Sequence, residues 1–559
     1  MKSKLTLPLL LAICTYIPAF SQTCTDRTDK VCPDPVVGKI LERKDVDNLT
    51  AAELQSFRNG VKAMMDLSAK DAKDPRGWNY QAYIHGLPKF VKESLDLYEC
   101  CQHSTWYFLS WHRMQVYYFE RILRAQAKDP NLTVPYWNFT TDPGPKKDVP
   151  EKRKMPASFR TATYIDDTKK EVPNPLYTTH RRAGINDTKD AKAKPICIKE
   201  TEWETAYGKA KFSVDGEDGS ISFGGSSKLG IHHGINETET GAVENQPHNA
   251  IHLVVGIPGD DRSLASADGA GLDPAFWPFH ANLDRMFDCW QQSHNFLDPA
   301  KNEDLKKLLD SKWGTTKFFF FDVDDTNAKG WKKVCLTGKQ LIQTASQLGY
   351  KYTNCYPFPL NKTPGAKDDS TLVQVLSAAV VPRTVVSTAL RFPPELRDEP
   401  VTITMDLPSD VQQRIRGLLT NELLDGSIVL HLDDIHMNQP VTTLYEVYLD
   451  LPDKPVLDWR GRYYVGLLNF FGVGSHHHNH VDGDLPVSTS GGRSFDITNV
   501  VRRLAANNEW RADKLSVTFA VTQDEPDEDC VKPAPPGPDA HIGFTEMSLS
   551  VITGNTILK

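Results

Sequence analysis

Apolar positions in the first quarter of the chain recur with a helical period. Thr50 and Glu53 form a Thr-Ala-Ala-Glu capping box, and Leu54, Phe57, Val61 and Met64/Met65 follow at helical spacing. A second helical run, from about 106 to 125, is dense in aromatics (Trp111, Tyr117, Tyr118, Phe119), and further helical patches lie at 248–254 and 274–292. The stretch 141–240 is rich in Pro, Gly, Lys and Asp and reads as long surface loops with a short hairpin. Beyond residues 360–372 the period changes. Val401-Thr-Ile-Thr-Met-Asp-Leu, Ser427-Ile-Val-Leu-His-Leu, Thr443-Leu-Tyr-Glu-Val-Tyr-Leu and Leu515-Ser-Val-Thr-Phe-Ala-Val-Thr are short, β-branched and alternating, which predicts an all-β sandwich of about 180 residues.

A secretory signal peptide accounts for residues 1–21. Lys2 and Lys4 precede an apolar run from Leu5 to Ile17, and Ala19-Phe20-Ser21 supplies a cleavage site. This predicts a secreted or periplasmic protein. The segment 360–372 has no apolar periodicity and is the linker between a domain at 22–359 and the β-domain at 373–559. No later run approaches the ~18 consecutive apolar residues of a membrane span.

The 559 residues are 40% apolar and 24% charged, enough for substantial cores, which excludes a disordered, collagenous or coiled-coil chain. Lys plus Arg is 64 against 72 Asp plus Glu, and no long basic run is present, so a nucleic-acid partner is not expected. Of 10 cysteines, Cys14 leaves with the signal peptide. The odd remainder leaves one sulfur outside disulfides, either as a thiol or in another role.

The histidines carry the chemistry. His248 and His252 are at i and i+4, so on a helix both rings project from one face, and His280 follows in a helical context. Upstream lie His85, His103 and His112. Nine steps of ~100° put His103 and His112 on opposite sides of one helix, so His103 must turn back from a preceding loop if both bind one ion. Two three-His sets without an acidic ligand suit copper or zinc, and a pair of copper ions explains both sets.

On these blocks the chain resembles the type-3 copper family of tyrosinases, catechol (polyphenol) oxidases and molluscan-type haemocyanins. The matching motifs are Ile84-His85-Gly86, Cys100-Cys101-Gln102-His103, Trp111-His112-Arg113, Val134-Pro135-Tyr136-Trp137-Asn138, Glu244 to His252, Asp273-Pro274 to Arg285, and Tyr350-Lys351-Tyr352. The resemblance implies a mainly α-helical, four-helix-bundle catalytic domain with long loops, followed by the β-sandwich. It implies His85, His103 and His112 on one copper and His248, His252 and His280 on the other. It also implies a thioether between Cys101 and His103, the alternative being a buried thiol. Where many relatives carry a second His before the last ligand, this chain has Phe279.

The implied reaction is oxidation of o-diphenols to o-quinones with O2 as co-substrate, and hydroxylation of monophenols. Glu244 and Asn249 are the candidates for polarising a water that takes the phenol proton; the alternatives are a helix N-terminal carboxylate and a helix cap. Ala267, thirteen before His280, implies an open entrance. In relatives the C-terminal domain lies over the copper site, so a latent form opened by an activating protease at the linker is expected. The His-rich run 474–480 is expected to be a loop. The rival readings are a haemocyanin-like O2 carrier, which the Cys-Cys-Gln-His block favours, and an o-aminophenol oxidase.

Overall fold

The computed structural model describes residues 31–553 except 35–37, 142–151, 190–191, 197, 199, 217, 229–238, 342–347, 356, 359–383, 421–425, 453–455, 474–490, 523–529, 532–534 and 538. The expected signal peptide, the expected linker and the His-rich run therefore lie outside the described residues.

Helix α1 (Ala51–Lys70) begins at the expected capping box: Glu53 N–H donates to Thr50 Oγ1 at 3.2 Å and Thr50 N–H to Glu53 Oε2 at 2.8 Å. Its buried stripe is Phe57, Gly60, Val61, Met64 and Ser68. Helices α2 (Trp78–His85) and α3 (Phe108–Ala127) follow; α1 packs on both. Helix α4 (Asn249–Val255) is short, and α5 (Phe276–Ser293), buried from Phe276 to Gln291, packs on α3. Trp277 of α5 stacks on Phe119 of α3 with centroids 3.4 Å apart. Helices buried on all sides belong in the middle of a large core.

A buried ion cluster ties this core to the ends of the domain. Leu41–Arg43 pairs in parallel with Tyr350–Tyr352. Tyr350 and Tyr352 donate their hydroxyls to Asp284 Oδ2 at 2.7 and 2.6 Å. Arg43 Nη1 reaches the same oxygen at 3.0 Å, and Arg113 Nε reaches Oδ1 at 2.5 Å. Disulfides Cys32–Cys335 and Cys289–Cys355 fasten the same region. Cys100 and Cys530 are also disulfide-bonded, and Cys101 is the cysteine left as a thiol among the described residues.

The stretch 141–240 is not mainly surface. It holds the expected hairpin, Thr163–Ile165 with Glu171–Pro173, but also the helix Glu200–Tyr207 and the buried residues Ile185, Ile196, Trp203, Phe212 and Phe223. Its polar composition conceals paired groups: Arg181, fully buried, grips Asp273 at 2.7 and 2.9 Å. Asn138 is likewise inside, its Oδ1 accepting from Arg285 Nη2 at 2.6 Å.

The C-terminal domain has strands β1 (Thr384–Arg391), β2 (Val401–Asp406), β3 (Gly426–Ile435), β4 (Tyr445–Leu449), β5 (Tyr464–Leu468), β6 (Gly491–Asp496), β7 (Lys514–Val521) and β8 (Glu546–Thr553). Two antiparallel sheets, ordered β5-β4-β7-β2 and β6-β3-β8-β1, enclose one apolar core. The domain is not all-β, because helices α6 (Ser409–Thr420) and α7 (Thr498–Ala506) bury Val411, Ile415, Leu418, Val500, Val501 and Leu504 against it. Leu444, Leu467, Phe471 and Val531 of this domain join the core of the helical domain, so the two are docked. Among the described residues no helix is long and apolar enough to cross a membrane.

Candidate metal centre

Six buried histidines from four segments converge. His85 ends α2, where Gly86 allows the following loop to close in: a Cβ there would lie 2.7 Å from the Ala267 carbonyl oxygen. His112 lies on α3, His252 on α4, His280 on α5, and His248 immediately before α4. His103 sits in the irregular segment before α3, as its nine-residue offset from His112 requires. One nitrogen from each of His85, His103 and His112 lies within 4.8 Å of the others, and the same holds for His248, His252 and His280. The trios face each other, with the His112 and His280 rings 5.0 Å apart and nearly parallel.

Hydrogen bonds aim the rings. Nδ1 of His112 donates to the Phe108 carbonyl at 2.8 Å, that of His280 to Phe276 at 2.9 Å, and that of His252 to Leu264 at 2.7 Å. Nδ1 of His248 meets Asn249 Oδ1 at 2.9 Å. A ring that donates through Nδ1 keeps a lone pair on Nε2. Nε2 of His248 and of His252 then face each other at 3.0 Å, lone pair to lone pair, while Nε2 of His112 and His280 are buried with no protein partner. Such an arrangement suits a cation between the rings. Burial lowers the His112 pKa to about 3 and holds His248, His252 and His280 well below the usual range, so these imidazoles are neutral donors at physiological pH. With imidazole as the only donor type, the set fits copper or zinc.

The two acid–base candidates have different partners. Both oxygens of Glu244 accept the Ser104 N–H, at 2.9 and 3.0 Å, so Glu244 fastens the His103 loop to the segment carrying His248. Ser104 needs such a tether, being a non-glycine residue at φ +56°. Burial raises the Glu244 pKa to about 8, against the Ser104 N–H and Arg493, which favour the charged form. Asn249 bonds the His248 ring. Cys101, buried two residues before His103, has its thiol pKa pushed well up by burial, with Asp268, Glu99 and Glu244 adding to the effect.

Aromatic residues line the rest. Phe276 stacks on His280 at 3.9 Å, and Phe279 lies nearly parallel to the His248 ring at 5.6 Å. Phe279 thus fills the place of the missing histidine with packing. Ala267 is buried. Phe471, fully buried, enters from the C-terminal domain and stacks on His252 at 4.3 Å and 13°. Sequence reasoning missed Phe471: Asn469-Phe470-Phe471-Gly472 has no periodicity and no pattern marking it for this site. Around it, Gln246 Nε2 donates to the Leu467 carbonyl at 2.5 Å, Asn245 Nδ2 to that of Ser494 at 3.2 Å, and Lys209 pairs with Asp496 at 2.8 Å.

Fold and site together define a protein with two adjacent three-histidine sets, each able to hold a metal ion, covered by a β-rich domain. Residues 75–293 match the family model for the common central domain of tyrosinase, and 388–532 match that of a domain of unknown function. The tyrosinase HcTyr1 of Hahella sp. (strain CCB-MM4) is 25% identical over 502 residues, covering 84% of this chain and 93% of that protein. The chloroplastic catechol oxidase B of Solanum tuberosum is 25% identical over 400 residues, 69% of this chain and 59% of that protein. This chain therefore spans only about three-fifths of the plant relative. In fold it is similar to a latent aurone synthase (polyphenol oxidase), with TM-score 0.56, 18% identity and coverage of 96% of this chain and 93% of the other. It is also similar to latent apple tyrosinase, with TM-score 0.50, 18% identity and coverage of 92% and 98%. Residues 75–293 are thus similar to the common central domain of tyrosinase, and the two three-histidine sets within them could hold a pair of copper ions.

Proposed function

We propose that this protein is an exported phenol oxidase that converts o-diphenols to o-quinones with O2 and hydroxylates monophenols, made in a latent form. His85, His103 and His112 would hold one copper and His248, His252 and His280 the other. The copper pair supplies the redox chemistry with O2 when bound. The observation that carries the reading is the facing of two buried imidazole trios with phenylalanine rings packed against them.

The chain's own residues do the rest. Phe276 and Phe279 give an aromatic substrate apolar surface beside the reacting position and exclude water from it. Phe471 stacks where a phenol ring would lie over His252, so the intact form is closed to substrate. A phenol hydroxyl, with a pKa of about 10, needs a base. In the intact form burial pushes the Glu244 pKa up to about 8, against the Ser104 N–H and Arg493. A water between the Glu244 carboxylate and the substrate would relay the proton. Asn249 would orient His248 and that water. A protease cutting within 360–372 would open the site.

The test is copper-loaded protein, intact and cleaved, assayed with catechol, tyrosine and 2-aminophenol. Turnover of catechol after cleavage with the highest kcat/KM supports the proposal. Reversible O2 binding without turnover identifies a carrier, and preference for 2-aminophenol identifies an aminophenol oxidase.

A further inference from the structure

Phe471 bears no polar group, so its position over His252 must be set by the backbone that carries it. Arg493 and Asn469 brace that backbone. Arg493 of β6, only 1% exposed, donates through Nη2 to Asn469 Oδ1 at 3.1 Å and to the Phe471 carbonyl at 3.1 Å, and through Nη1 to the Gly492 carbonyl at 2.9 Å. Asn469, fully buried, donates in turn through Nδ2 to the Asn245 carbonyl at 3.1 Å, three residues before His248. Its Oδ1 also accepts the Phe471 N–H at 3.4 Å. One guanidinium therefore grips both ends of the Asn469–Phe471 turn, and Asn469 registers that turn against the segment carrying a candidate ligand.

We propose that Arg493 is the positioning residue of the inhibitory plug: it holds the Phe471 ring over His252, and its loss frees the ring without unfolding the sandwich. The inference rests on the reading of the C-terminal domain as an inhibitory cover. Nη2 alone serves both acceptors of the turn, and the guanidinium plane, anchored through Nη1 on the Gly492 carbonyl, fixes the direction of its hydrogens, an orientation that an ammonium on a flexible stem does not keep. The sandwich core does not depend on this side chain: Phe495 of the same strand packs in that core, and β3 pairs with β6 through backbone bonds.

The experiment compares the intact parent chain with Arg493→Gln, Arg493→Lys and Phe471→Ala. Catechol oxidation is measured before and after linker proteolysis, and hydrogen–deuterium exchange is followed in the metal-free chain. Arg493→Gln is expected to raise the uncleaved rate and the exchange of 464–472 by about tenfold or more, as a population shift toward the open turn requires. The rate after cleavage and the exchange of 514–521 stay at parent values, and Arg493→Lys behaves like Arg493→Gln. If Phe471→Ala is activated while Arg493→Gln keeps the parent rate and exchange, the role of Arg493 is overturned and the cover stands. If Phe471→Ala is not activated either, the cover itself is refuted. If Arg493→Gln also accelerates exchange in 514–521, Arg493 is a structural residue of the sandwich and the proposal falls.

Discussion

Asp284 is the most exacting place to perturb this protein. It lies one turn beyond His280 on α5, and its partner Arg113 directly follows His112 on α3, so the 2.5 Å Arg113–Asp284 bond sets the spacing of the two helices that carry candidate ligands. Asp284→Asn keeps the shape and removes the charge, leaving the buried guanidinium of Arg113 facing an amide; Arg43 retains Glu120 at 2.8 Å. Breaking a buried pair from one side costs about 3–5 kcal/mol, and the surviving Glu120 argues for the lower figure. At about 2 °C per kcal/mol, the value suited to a large domain, Tm falls by about 6 °C. Calorimetry on the metal-free chain measures this without stabilisation by copper. Burial alone would raise the Asp284 pKa, but Arg113, Arg43 and the two tyrosine hydroxyls together hold it below the usual range. A carboxylate with a depressed folded pKa contributes stability that is complete above about pH 3.9 and is lost as the pH falls through the folded value. The gap between parent and variant therefore narrows in acid. An unchanged Tm at neutral pH, or a gap that persists in acid, refutes the reasoning.

Other outcomes follow from the same structure. Phe471→Ala should raise the catechol rate of the uncleaved form by about a hundredfold, because removing a fully buried phenylalanine costs about 3 kcal/mol of docking and each 1.4 kcal/mol is tenfold; the cleaved form should be unaffected. Glu244 gives a second pH signature in the metal-free chain. Its raised folded pKa makes stability fall as pH rises from about 4.3 toward about 8, so Tm of the parent should fall relative to Glu244→Gln across that window. In the copper-loaded, cleaved enzyme Glu244→Gln should lower monophenol turnover more than diphenol turnover, and an unchanged ratio counts against its role. Aerobic copper loading should make the peptide containing Cys101 and His103 two hydrogens lighter by mass spectrometry, and Cys101→Ser should abolish that change.

What could be read from the sequence was local. The i, i+4 pair His248/His252, the capping box of α1 and the offset that forces His103 onto a loop all depend on residues close in the chain, and the structure brings both histidine trios together. Order along the chain suggested the two sets of three, and the resemblance implied one copper for each. Longer-range features were hidden. Phe471 reaches the site through domain docking, which leaves no periodic trace. The stretch 141–240 looked like surface because groups such as Arg181 are polar, although Arg181 is buried against Asp273 from far along the chain. Helices α6 and α7 were missed although Val411, Ile415 and Leu418 recur at helical spacing, the alternating strands around them having dominated the reading. Glu244 and Asn249 could be located by alignment to the family, but their partners, the Ser104 N–H and the His248 ring, could not.

The central claim is tested most directly by elemental analysis of the purified, copper-reconstituted chain alongside His112→Ala and His280→Ala. Two coppers per chain in the parent and one in each variant, with the fold retained, is the expected result. A single zinc per chain, or two coppers retained after either substitution, would contradict the account.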